Sequence, residues 1–195
     1  MKLRLVQTIE AWFQQHADGD FVCDEPRAAY VVQSPVGSRV PVVFTTKPAT
    51  VRHAIAADKV QPLGVVGRYG LPHRRDLAWI RELVGRRPLL FLGDLDPSDL
   101  MVFAWLRARL APKRVRHLGV NDTLLQRVDA RLTIRNTIAL APTELAACEL
   151  LPELLEDLPT LIGPGCSELL FGGRKMELEA ITRFLQRSPD VLCRS

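Results

Sequence analysis

What most limits the fold of this chain is an alternation of whole elements that begins near residue 41. Short apolar runs (Val42-Val43-Phe44, Gly64 to Gly67, Leu89 to Leu92, Val115 to Val120) alternate with helix-like stretches around 48–57, 73–84 and 98–110. Strands that are apolar on both faces belong inside a parallel sheet, because helices cover such sheets on both sides. The pattern predicts an α/β, Rossmann-like parallel sheet with helices on both faces, occupying residues 40–187. Residues 1–39 read as a lead-in. Leu5, Ile9, Trp12 and Phe13 share one helix face, Ala17-Asp18-Gly19-Asp20 stops that helix, and Ala28 to Val32 follows as a strand. The turn-rich segment Gln33 to Arg39 suits a hairpin or a loose crossing to the next strand at Val40 to Phe44. From about residue 140 a helical C-terminal extension is expected, with a break at Gly163-Pro164-Gly165 and a last helix from about Lys175 to Gln186. Core and extension are expected to form one compact unit.

In an open sheet of this kind ligands bind beyond the carboxyl ends of the strands. That rule nominates Thr45, Thr46 and Lys47, then Arg68 and Tyr69, then Asp94 and Asp96, then Asn121 and Asp122. Asp94 and Asp96, one residue apart at the end of a buried strand, are hard oxygen ligands of the type that Mg²⁺ takes, with Mn²⁺ as the alternative and Asp122 as a further ligand. Asp96 has a second reading as the N-cap of a helix whose first residue is Pro97. Asp94 lies too far ahead of that helix to bond its free amides.

Charge is unevenly distributed. The chain of 195 residues carries a net +4, yet residues 51–120 hold 13 Lys/Arg against 6 Asp/Glu, while residues 141–180 hold 2 against 8. Basic residues near the strand exits, Lys47, Arg68, Arg74 and Arg75, could meet nucleic-acid phosphate. A solvated arginine-rich face explains the same excess. Several classes are excluded more firmly. No apolar run approaches the ~20 residues of a membrane span. The start of the chain lacks the pattern of a secretory signal, so a cytoplasmic location is expected. Four cysteines without a CxxC pair predict reduced thiols, and the four histidines share no metal-ligand spacing. Neither GxGxxG nor GxxxxGK[ST] occurs, which argues against dinucleotide and P-loop sites.

Taken together, the order of strands and helices, the segment Gly67-Arg68-Tyr69-Gly70-Leu71-Pro72 and the run Leu89 to Asp99 resemble a Toprim domain. The likeness is to the version in the topoisomerase VI A subunit and its meiotic double-strand-break relatives, and in the nuclease subunit of the Wadjet plasmid-defence system. Asp94, Leu95, Asp96 and Pro97 match that family's Asp-x-Asp-Pro segment, Leu118 to Asp122 its fourth-strand exit, and Lys175 and Glu177 its closing Lys-x-Glu helix. The resemblance covers about residues 40–187. It implies DNA as partner, Mg²⁺ as cofactor, Asp94 and Asp96 as catalytic residues, and phosphodiester hydrolysis or DNA cleavage as the reaction. A further chain supplying a winged helix or an ATPase is the implied protein partner.

Two departures qualify the match. Toprim enzymes carry a glutamate at the end of the first core strand, where this chain has Phe44-Thr45-Thr46-Lys47, and threonine cannot exchange protons near neutral pH. Asp24, Glu25 or Asp122 are the sequence candidates to replace it. The topoisomerase relatives cut DNA with a tyrosine from a preceding winged helix, whereas the tyrosines here are Tyr30 and Tyr69. The competing expectation is therefore a catalytically inactive Toprim-fold module for DNA binding or subunit docking. A haloacid-dehalogenase-type phosphotransferase, which also places Asp-x-Asp at a strand end, ranks below both because that strand would have to open the core.

Overall fold

The computed structural model describes residues 2–16, 31–33, 41–55, 64–110 and 114–187. Four parallel strands form the core of the sheet: β2 (Val42–Thr45), β3 (Gly64–Gly67), β4 (Leu89–Leu92) and β5 (Val115–Gly119). Every residue of β2, β3 and β4 is buried, so the unbroken apolar runs reflect strands covered on both faces. β1 (Val31–Gln33) completes a five-stranded sheet in the order β1-β3-β2-β4-β5. Of the two expected connections, hairpin or loose crossing, the structure has the crossing: β1 runs antiparallel to β3, with Val31 opposite Gly67, and does not pair with β2. Apolar composition marks a strand, but it carries no information about which neighbour the strand selects.

The connections are α2 (Pro48–Ile55), α3 (Leu77–Val84), which follows a 3-10 turn at Arg74–Asp76, and α4 (Pro97–Leu110). Right-handed crossovers put α2 on one face and both α3 and α4 on the other. The contacts agree, since α3 and α1 (Lys2–His16) pack on α4. α4 is buried continuously from Leu100 to Leu106, because α1 and the C-terminal helix α6 (Pro142–Leu154) cover its outer side. A polar clamp fastens α1 there: Glu10 accepts hydrogen bonds from Trp105 Nε1 at 3.0 Å and from Arg109 and Arg74.

The C-terminal part contains α5 (Asp122–Arg127), β6 (Ile138–Ala139), α6, α7 (Leu158–Ile162), α8 (Pro164–Phe171), β7 (Arg174–Lys175) and α9 (Thr182–Arg187). The single helix expected from Lys175 to Gln186 is not formed. Lys175 pairs with Ile138 in an antiparallel ribbon, Met176 bridges to Leu95, a 3-10 turn spans Leu178–Ile181, and only then does α9 begin. Met176 and Leu178 are both fully buried, and anchoring two residues of the same parity inward is strand behaviour that overrides the helical propensity of Met-Glu-Leu-Glu. This detour carries residues 174–179 to the end of β4. No helix among the described residues is long and apolar enough to cross a membrane.

Candidate metal centre at the switch of the sheet

From β2 the chain crosses outward to β3 and then returns past β2 to β4, so the neighbours β2 and β4 send their following helices to opposite faces. A crevice opens at such a reversal, outside the carboxyl ends of the strands. Thr46 and Lys47 enter it from β2, Asp94 and Asp96 from β4, and Asp99 from the first turn of α4.

Each carboxylate is held. Asp96 Oδ1 accepts the Asp99 amide at 2.7 Å and so caps α4, with Pro97 at the first helical position. Asp99 Oδ2 accepts both the Thr46 hydroxyl and the Asp94 amide at 2.6 Å. Asp94 Oδ1 accepts the Leu178 amide at 2.8 Å, and its Oδ2 lies 2.8 Å from Lys47 Nζ. Gly93 is required by this packing, because a Cβ there would overlap Asp99 Oδ2 and sit 2.9 Å from Thr46 Oγ1. A second ion pair, Lys175 Nζ to Glu144 Oε1 at 2.6 Å, stands on the Asp96 side.

Asp94, Asp96 and Asp99 are all buried, and one oxygen from each lies within 4.8 Å of the others. Burial pushes the Asp94 carboxyl up to about 7, and the charge of Asp96 adds to this against the pull of Lys47 and the Leu178 amide. Asp96 is raised by burial, and Asp99 is raised well above the carboxylate range by burial and by its two acidic neighbours. Even with Lys47 in contact, the cluster is short of positive charge near neutral pH. Three hard oxygen donors with a charge deficit fit a divalent cation such as Mg²⁺ or Mn²⁺.

Asp99 is the residue that sequence reading did not assign to the site. Its spacing from Asp96 announces a helix cap, whereas its contact with Thr46 spans 53 residues of chain and leaves no local signal. Glu179, 3.6 Å from Lys47 through Oε2, was likewise hidden by the helical reading of residues 175–186, and Glu144, in the first turn of α6, meets Lys175 across 31 residues of chain. The other expected residues are distributed as follows. Lys175 and Glu177 flank Met176 at the bridge to Leu95. Arg68 is 1% exposed, which withdraws it from any surface that a duplex could touch. Arg74 is forked onto Glu10 of α1, while Arg75 is exposed and free to meet solvent anions. Tyr69 is exposed, and Asp24, Glu25 and Tyr30 lie outside the described residues.

Asp122, expected as a metal ligand, does not join the cluster. Its two oxygens accept the amides of Gly165 at 2.8 Å and Cys166 at 2.9 Å, so it serves as a cap for the first turn of α8. Asp122→Ala is expected to lower stability by ~1–2 kcal/mol in urea denaturation, the usual loss for a cap, without altering Mn²⁺ affinity. Reduced Mn²⁺ affinity in that variant would return Asp122 to the metal site.

A groove of about 600 Å³ between α1, α4 and α6, lined by Arg4, Leu5, Thr8, Arg107, Leu150 and Glu153 among others, shares no residue with the acidic site. No protein family matches the chain, and no curated protein matches it either.

Proposed function

We propose that this protein is a Toprim-like DNA-processing domain that binds Mg²⁺ or Mn²⁺ at Asp94, Asp96 and Asp99 and supports phosphodiester hydrolysis. The observation that carries this reading is Asp99: a third carboxylate, tied to Thr46 at 2.6 Å, stands beside the strand end where the family's glutamate is missing. In hydrolysis water adds to phosphorus and the ester P–O bond breaks, leaving a phosphomonoester and an alcohol. A bound divalent cation would offset charge on the phosphate oxygens and help to form the attacking hydroxide. The chain's own groups orient the ligands: Thr46 and the Asp94 amide fix Asp99, the Leu178 amide fixes Asp94, and the α4 amide fixes Asp96. Lys47 is the cation at the acidic site that would meet a phosphate, and Arg75 is an exposed cation that a phosphate backbone could reach.

A second reading, the inactive DNA-binding or docking module, is favoured by the Lys47–Asp94 ion pair, which already supplies part of the charge a metal would bring. One experiment separates the two. Supercoiled plasmid is incubated at low salt with Mg²⁺ or Mn²⁺ and wild type or Asp94→Ala/Asp96→Ala. Metal-dependent nicking that the double substitution abolishes is the expected result. Gel retardation without nicking would favour the module, and absence of both would leave protein docking. Small phosphate esters cleaved in place of plasmid would point to the phosphotransferase class.

A further inference from the structure

Lys47 joins two acids at different depths. Its ammonium lies 2.8 Å from Oδ2 of the buried Asp94 and 3.6 Å from Oε2 of Glu179, whose side chain is about half exposed. Glu179 is fixed in place, because its Oε1 accepts the Thr50 hydroxyl at 2.5 Å. The lysine side chain is itself one-quarter exposed, so an outward path exists. Burial opposes its charge, but the hydrogen bond and charge of Asp94, with Glu179 and Glu177 behind them, hold it well above the usual lysine range. The ion pair with Asp94 at 2.8 Å favours the charged form of the lysine.

The contact is placed where it matters for a metal. Asp94 Oδ1 accepts the Leu178 amide and Oδ2 holds Lys47, so a cation that takes Oδ2 meets the ammonium at the same atom. A dication and an ammonium within about 3 Å of one largely buried carboxylate oxygen repel each other. Resting on the metal reading given above, we propose that Lys47 is a resident counter-ion that a divalent cation must displace, and that the released ammonium, re-anchored on Glu179 at the rim, becomes a contact for substrate phosphate. Metal and phosphate then bind in order, the first uncovering the cation that meets the second. By linkage, each ligand strengthens the other to the same degree. Without a metal, Lys47 keeps Asp94 Oδ2 occupied and offsets its charge, while the cluster as a whole stays short of positive charge.

The test is Mn²⁺ titration, followed by the paramagnetic signal of the free ion, on wild type, Lys47→Met, Glu179→Gln and the double variant. Removing the competing ammonium is expected to tighten Mn²⁺ binding by about tenfold or more, the scale of one buried charge contact. Glu179→Gln is expected to weaken binding in the wild-type background and to have little effect beside Lys47→Met, because Glu179 acts through the lysine. Inorganic phosphate should bind the Mn²⁺-loaded wild type better than the loaded Lys47→Met protein. Lys47→Gln, which still hydrogen-bonds Asp94, gives the same readout if the methionine variant does not fold. Equal or weaker Mn²⁺ binding by both Lys47 variants would overturn the displacement while leaving the metal site standing. An undiminished Glu179→Gln effect beside Lys47→Met would overturn the re-anchoring. Absence of Mn²⁺ binding by every protein would overturn the metal reading and this inference together.

Discussion

Phe91→Ala is expected to cost ~3–5 kcal/mol of folding stability, a large share of the ~5–15 kcal/mol a domain of this size commands. Phe91 is fully buried on the interior strand β4, and its ring is the middle of an aromatic column. Phe44 stacks on it at 6.1 Å, His117 stacks at 6.0 Å, and Phe103 of α4 leans against it at 5.7 Å. Truncation removes the transfer free energy of the ring and leaves a cavity that three rigid neighbours cannot fill by rotating. The same ring lies beneath the site, since its Cε1 is 3.0 Å from where a Cβ of Gly93 would stand. The measurement is the urea midpoint at constant m-value, with Phe91→Leu as a milder control. A loss near 1 kcal/mol would mean that this column does not anchor β4.

Legibility in the sequence followed the range of the interactions that set each feature. The four parallel strands were readable because residues such as Val42, Val43 and Phe44 meet apolar cover on both faces, which local composition records directly. The cap at Asp96-Pro97 was readable because a helix N-terminus is a contact over three residues. The partner of β1 was not, since Val31–Gln33 could pair with either edge and chose β3. Nor was the break in the expected last helix: the inward anchors Met176 and Leu178 look helical until Leu95 and Asp94 are known to wait for their backbones.

The site itself was half legible. Asp94, Asp96 and Lys47 were nominated by the strand-end rule alone, and the structure brings them together. Asp99 and Glu179 were not, because the contacts Thr46–Asp99 and Thr50–Glu179 span 53 and 129 residues. At the end of β2 Thr46 offers a hydroxyl that donates to Asp99, so the third carboxylate of the cluster comes from α4. The adjacent Lys47 adds a positive charge to the same strand end. Thr46 and Lys47 thus set both the anchoring of the third acid and the resting charge of the site.

Acidification should expose a second buried group. Both ring nitrogens of His117 are buried without a hydrogen-bond partner, between Phe91 and Phe103. Burial disfavours the imidazolium and pushes His117 down to about 4. Above the ordinary histidine value near 6.5 both folded and unfolded chains are neutral here, and the residue contributes no pH dependence. Between about 6.5 and about 4 the unfolded chain binds a proton that the folded one refuses, so stability falls as pH falls, by on the order of 3 kcal/mol in all. Asp94, Asp96 and Asp99 act in the opposite sense. Their raised values mean that the folded protein takes up protons first, so their contribution improves as pH drops from about 7 toward the ordinary carboxylate range. The wild-type profile therefore mixes two slopes, and His117→Phe separates them. That variant keeps the ring and removes the two unpaired nitrogens. Its stability advantage over wild type should widen by ~3 kcal/mol between about pH 7 and about pH 4, because the carboxylate contributions are common to both proteins. An advantage that stays constant across that range would mean that His117 is protonated equally in both states, and the acid sensitivity would then have to lie elsewhere.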